Sequence, residues 1–258
     1  MIRPLQPLLN AIQFMTIVPT PGAERLDDDW LLSAAEYFPL VGALIGLVSA
    51  AVLLAGSAIW TGIVPAVLAI LTGTILTGAL HEDGIADTAD GLFGGRTREQ
   101  RLLIIKDSRI GTYGAIALVS SLVLRIALLA SLPGWLGAAA LVAAHSLGRS
   151  GILLTMSAIP YAGNVATAKL NYPTTRIDRI DRMWASAFTV LGVLWLATTD
   201  VWAAGCGLAV AVALGVLPPL AARRLLGGYT GDVLGATEQM IEIGLLLGVA
   251  AAVGHGTI

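Results

Sequence analysis

Charge, aromatic rings and cysteine are all scarce in this chain of 258 residues. Only 12% of residues are Asp, Glu, Lys or Arg. A soluble domain carries about a quarter, so an ordinary water-facing surface is excluded. The one cysteine, Cys206, lies in an apolar run. It excludes an internal disulfide and argues against a thiolate metal site. Aromatic residues make up 6%, and the formal net charge of −2 offers no bulk surface for nucleic acid. The opening residues, Met1 to Asn10, lack the long apolar core and small-residue cleavage site of a signal peptide.

What the chain has instead is apolar surface. The apolar fraction is 56% and the mean hydropathy +0.82. Thirty glycines suit close helix packing in lipid. A span needs roughly 20 mainly apolar residues. The expectation is an all-α polytopic membrane bundle of about seven transmembrane helices (six to eight), forming one domain over 1–258. The spans fall near 37–56, 61–80, 111–131, 134–158, 183–199, 201–222 and 238–254. Residues 4–18 are too short and too Pro-flanked to cross, and suit an interfacial or re-entrant helix. Residues 19–34 read as a polar loop.

The positive charges test that division. Thirteen of the fifteen Lys and Arg lie outside the spans: Arg3 and Arg25 before the first, a group from Arg96 to Arg109 between the second and third, Lys169 to Arg182 between the fourth and fifth, and Arg223 and Arg224 after the sixth. The intervening loops carry none. Retention of positive loops in the cytoplasm then predicts a cytoplasmic N-terminus and an external C-terminus.

Chemistry concentrates in three polar blocks on the predicted cytoplasmic side. The first is His81-Glu82-Asp83-Gly84-Ile85-Ala86-Asp87-Thr88-Ala89-Asp90-Gly91. Asp83, Asp87 and Asp90 stand at i, i+4 and i+7, on one helical face. Aligned carboxylates repel, and hard oxygen donors at this density suit Mg²⁺, Mn²⁺ or Ca²⁺. A solvated helix end is the plain alternative. Asp87-x-x-Asp90-Gly91 also repeats the opening of a pattern in membrane enzymes that transfer phospho-alcohol groups.

The second block, Lys106-Asp107-Ser108-Arg109-Ile110-Gly111-Thr112-Tyr113-Gly114, precedes the third span. Its cations can clamp phosphate oxygens, and its glycines admit backbone N–H groups to them. Simple anchoring of the span needs neither Asp107 nor paired glycines. The third block runs from Gly227 through Gly228, Asp232 and Gly235 to Glu238, a close-approach loop or an ordinary turn. Arg125, His145 and Arg149 lie inside spans, lining a polar cavity or pairing with acids. Glu36 is a similar case. His81 could be a base, a metal ligand or a cap. Trp135, Trp184 and Trp202 suit interfacial anchors.

The first block resembles the signature of the adenosylcobinamide-GDP ribazoletransferase (cobalamin synthase, or cobalamin-5′-phosphate synthase) family. Lys106 to Thr112 and Gly227 to Ala236 are similar to two further blocks of that family. Gln13-Phe14-Met15-Thr16-x-x-Pro19 and Tyr37-Phe38-Pro39-Leu40-Val41-Gly42 are similar to its N-terminal blocks. The likeness runs from about residue 7 to 250. At position 82 an apolar residue is as familiar as Glu, so Glu82 ranks below the aspartates as a ligand.

The resemblance implies a multi-pass enzyme of the cytoplasmic (inner) membrane, in contact with lipid and with its active site on the cytoplasmic face. It would join adenosylcobinamide-GDP to α-ribazole or its 5′-phosphate, giving adenosylcobalamin or its 5′-phosphate and GMP. The expected cofactor is Mg²⁺, with Mn²⁺ possible, on Asp83, Asp87, Asp90 and Glu82. Catalytic work would fall to Asp83, Asp87, Asp90 and Asp107. Substrate would meet Lys106, Arg109, Arg96, Gly228, Asp232 and His81. A homo-oligomer, or association with other cobalamin-assembly enzymes, is compatible. A rival is a CDP-alcohol phosphotransferase-type lipid synthase, although that motif's Ala-Arg falls here on Gly94-Gly95 with Arg96 one place late. A cation transporter would carry its acids near mid-membrane, commonly with inverted repeats.

Overall fold

A computed structural model describes residues 5–21, 30–163 and 179–255. Among them are twelve helices and no strand: α1 (Gln6–Met15), α2 (Trp30–Ala35), α3 (Phe38–Ser57), α4 (Val64–Leu76), α5 (Leu80–Gly94), α6 (Arg98–Ile105), α7 (Thr112–Ser131), α8 (Gly134–Ala158), α9 (Arg179–Thr199), α10 (Val201–Gly215), α11 (Leu217–Leu225) and α12 (Gly231–His255). Pro in the first turn starts α1, α3, α4 and α11, where a missing N–H costs nothing. A capping box between Thr97 and Gln100 starts α6.

Five described segments are long and apolar enough to cross a membrane: α3, α7, α8, α10 with α11, and α12. They match the first, third, fourth, sixth and seventh expected spans, and the chain is an all-α polytopic membrane protein. The second span differs. It stops at Leu76, and the chain resumes as α5 at 86° to α4. Gly78 and Ala79 both adopt left-handed backbone, with φ of 61° and 60°. In Ala79 that conformation costs roughly 1–2 kcal/mol. Counted as one bent span, α4 and α5 raise the total to six. The fifth expected span contains a shorter apolar helix, Ala185–Thr199.

Helix α8 is the axis of the bundle. In its most apolar stretch 94% of residues are buried, against 22% in α7. Alanine and glycine make this possible. A methyl group on Gly46 of α3 would sit 2.6 Å from Val142 Cα, so the two backbones approach closely only because it is absent. Helices α9 and α12 cover other sides of α8.

Helix α1 is about 15 Å long, too short to cross. It buries Ala11 and Met15 beside Trp30, Leu31 and Phe38. Phe14 packs between Trp30 and Phe38. Residues 30–35 are therefore helix α2, where a loop was expected through 34, because Trp30, Leu31, Ala34 and Ala35 form an apolar face. Residues 22–29 and 164–178 of the expected polar loops lie outside the described residues.

Candidate active site

The break at Ala79 aims α5 back along two neighbours. Its glycines decide how close they come. Gly84 faces Gly235 of α12, and a methyl on Gly235 would lie 3.2 Å from Gly84 Cα. The contact sets Asp232, in the first turn of α12, beside the acidic helix. At its far end α5 meets the start of α7. There Asp90 accepts hydrogen bonds from the N–H of Gly111 (2.7 Å) and of Gly114 (2.8 Å). Any side chain at either glycine would collide with that carboxylate. Asp90 thus satisfies N–H groups that the start of a helix leaves without partners.

The aspartates divide by depth. Asp83 is exposed, Asp87 half-buried and Asp90 buried. A pocket of about 300 Å³ is lined by Thr74, Glu82, Asp83, Asp87 and Ser108, with apolar residues of α7 behind them. Around Asp87 the negative charges of Asp83, Asp232, Asp90 and Asp107 lie within electrostatic reach. No Lys or Arg forms an ion pair with Asp83, Asp87 or Asp90 among the described residues. The three sequence blocks therefore converge on one place, and the N-terminal ends of α7 and α12 reach it too.

Other expected site residues fall differently. Asp90 is absent from the pocket wall that Asp83 and Asp87 line. The i+7 spacing put it on the right face, but the end of α7 docks there first. Arg109 grips Asp107 with Nε at 3.0 Å and Nη2 at 2.6 Å. The side chain and backbone N–H of Arg109 hold the Asp107 carboxyl down at about 2. Such a group is ionised but accepts a proton poorly. Lys106 and Arg96 are exposed on the connections flanking α6.

Gly228 has a packing reason: a methyl there would overlap the carbonyl of Pro160. Arg98 ties the same two loops together, donating to the carbonyls of Leu226 (2.8 Å) and Ala162 (3.1 Å). His81 is only 2% exposed and lies off the pocket wall. Its Nδ1 is 3.5 Å from Arg149 Nη2.

His81 and Glu82 instead enter a second polar cluster inside the bundle. Arg125 pairs with Glu82 and with Glu242, each at 2.9 Å. Arg149 pairs with Glu238, and with Glu242 at 2.9 Å. His145 lies against Arg149 and Glu242. Thr74 donates to Glu82 at 2.9 Å. Arg125 stands thirteen residues beyond Thr112, about 20 Å along α7. So the acidic block does not sit wholly at a span edge, as the sequence suggested. It runs from deep in the bundle, at Glu82, to the start of α7, at Asp90. The buried arginines pair with acids, which sequence alone left open. Glu242 was missed, although a charge inside an apolar span is a signal for such a partner.

Compared with known proteins, the sequence matches the cobalamin-5-phosphate synthase family over residues 7–250. The chain belongs to that family. Among curated relatives, the adenosylcobinamide-GDP ribazoletransferase of Azorhizobium caulinodans is 42% identical over 252 residues, covering 93% of each chain. Those of Leptothrix cholodnii and Bradyrhizobium diazoefficiens are 40% and 41% identical, over 94% and 95% of this chain and 94% and 93% of theirs. No solved structure matches the chain. In this member of the cobalamin-5-phosphate synthase family the pocket is lined by residues of the first two polar blocks and of α4 and α7, and Asp232 of the third lies within electrostatic reach of Asp87.

Proposed function

We propose that this chain is a membrane adenosylcobinamide-GDP ribazoletransferase. It joins adenosylcobinamide-GDP to α-ribazole or its 5′-phosphate and releases GMP. The reading rests on family membership and on one observation: the charges of Asp83, Asp90, Asp107 and Asp232 surround Asp87, and the two aspartates that line the pocket, Asp83 and Asp87, form no ion pair with Lys or Arg among the described residues. A diphosphate would add more negative charge, so this pocket needs a cation to accept its substrate.

The donor set fits a hard divalent ion. Asp83 and Asp87 line the pocket, and Glu82 adds a buried carboxylate oxygen, Oε2, that has no hydrogen-bond partner. We assign Mg²⁺ to these three residues. When bound, it neutralises diphosphate charge and eases departure of GMP. Asp90 acts one step away, fixing the start of α7 by its two N–H contacts. Arg109 and Lys106 are exposed beside the pocket and supply cationic donors to phosphate oxygens. Arg109 exchanges Asp107 for phosphate as substrate arrives. The ribazole 3′-hydroxyl attacks the phosphate borne by cobinamide, and its proton passes to an aspartate of the cluster other than Asp107. Positioning and charge neutralisation carry most of such a transfer.

The distribution of Lys and Arg supports a cytoplasmic N-terminus and a pocket open to the cytoplasmic side of the inner membrane. The relatives' name gives no support to a CDP-alcohol lipid synthase or a cation transporter. The test is GMP release from adenosylcobinamide-GDP and α-ribazole by protein in liposomes, with Mg²⁺ and with a chelator. Transfer that persists in the chelator, or in a D83N/D87N double variant, overturns the metal assignment.

A further inference from the structure

On the opposite side of α12 from α5 lies a second cavity, of about 300 Å³, between α8, α10, α11 and α12. Its wall is almost wholly apolar, including Leu147, Leu154, Val212 and Ile241. Helix α11 and the Val216 that caps it contribute a stripe at i, i+3, i+4 and i+7: Val216, Pro219, Leu220 and Arg223. Three apolar side chains thus lead to a guanidinium in the last turn of the helix. Arg223 is exposed, and so is Arg224 beside it, which does not line the cavity. Among the described residues no carboxylate lines it either. At its mouth Leu154 and Leu220 are 64% and 59% exposed.

We propose that this groove binds one anionic phospholipid, its acyl chain against α8 and α12 and its phosphate on Arg223. The order of chemistry along the groove, hydrocarbon first and a cation at the span end, is that of a lipid entering from the bilayer. The Arg223 guanidinium favours a headgroup with net negative charge over a zwitterionic one, whose ammonium it would repel.

The test uses the full-length protein in detergent, stripped of lipid and then titrated with phosphatidylglycerol or phosphatidylcholine in mixed micelles. Native mass spectrometry counts bound lipid, and thermal unfolding reads the stabilisation. The expected result is one saturable phosphatidylglycerol, bound at least tenfold more tightly than phosphatidylcholine. R223Q abolishes that preference, and R224Q changes it less than threefold. A158F, which narrows the groove at an exposed wall position, weakens binding of both lipids. Circular dichroism establishes that each variant is folded. Equal affinity for the two lipids, unchanged binding by R223Q, only unsaturable lipid adhesion, or a dimer closing over the groove would each overturn the proposal.

Discussion

Two groups of carboxylates stand side by side in this bundle, and they are held in opposite ways. Glu82, Glu238 and Glu242 are buried and face Arg125 and Arg149. Asp83 directly follows Glu82 and Asp87 lies about one turn further along; neither forms an ion pair with Lys or Arg among the described residues, and the charges around Asp87 are those of other aspartates. Burial without a partner is the costly state for a charge, so the first group must be paired within the protein. The second can stay unpaired because Asp83 is exposed and Asp87 only half-buried. Glu82 belongs to both. One oxygen meets Arg125 and Thr74, and the residue also lines the acidic pocket. The paired acids tie helices α5, α7, α8 and α12 together, and the unpaired ones face the acidic pocket.

The sharpest way to break the comparison is to remove one partner from the buried group. Arg149→Gln leaves Glu238 and Glu242 without their shared guanidinium. The expected loss is about 3–5 kcal/mol of stability, read as a large fall in melting temperature and in folded yield. Arg125→Gln does the same on the Glu82 side. A melting temperature unchanged by either substitution would mean the cluster is open to water rather than sealed.

The uncompensated group should respond in reverse. Asp87→Asn removes a like charge, so without metal the protein melts at the same temperature or higher. Its transfer rate falls at least 100-fold, about 2.7 kcal/mol of transition-state stabilisation. Asp83→Asn behaves alike, and raised Mg²⁺ restores part of its activity. A variant that loses stability and activity together would put Asp87 in the structural group.

Asp90 lies between the two groups and separates them. It is buried and paired, but with backbone N–H groups instead of arginine. Asp90→Ala should cost about 1–2 kcal/mol of stability, as loss of a helix cap does. Asp90→Asn, which keeps an acceptor oxygen, should cost less. Affinity for Mg²⁺, measured by titrating activity, should shift less in Asp90→Asn than in Asp83→Asn. The opposite order would return Asp90 to the metal.

These distinctions mark how far the sequence could be read. Spacing along one helix put Asp83, Asp87 and Asp90 on a common face, and acids of all three polar blocks come within electrostatic reach of Asp87. Neighbours could not be read that way. Nothing local to Asp90 says that Gly111 and Gly114 of another helix would reach it first. The bend at Gly78 and Ala79 was hidden because an alanine in left-handed backbone leaves no mark in composition. Hydropathy ran through it as one span. Glu242 was legible in principle: two arginines inside spans required acids at the same depth.

The smallest expected effect concerns Asp107, and it sharpens the assignment of the base. Arg109 holds its carboxyl at about 2, below the ordinary 3.8. A depressed carboxyl contributes stability that is present above the unfolded value and is lost as pH falls from about 3.8 toward 2. Nothing in that window touches an assay between pH 6 and 8. Asp107 is partly exposed and its partner Arg109 largely so, so water screens the pair and its weight in stability is slight. Asp107→Asn should therefore leave the shape of the pH–rate profile unchanged from pH 5 to 9. Only the KM for adenosylcobinamide-GDP should move, by a few-fold, because Arg109 is then free of its partner before substrate binds. If the acid limb of the profile vanishes in this variant, the proton goes to Asp107 after all, and the line drawn between paired and unpaired acids no longer identifies the base.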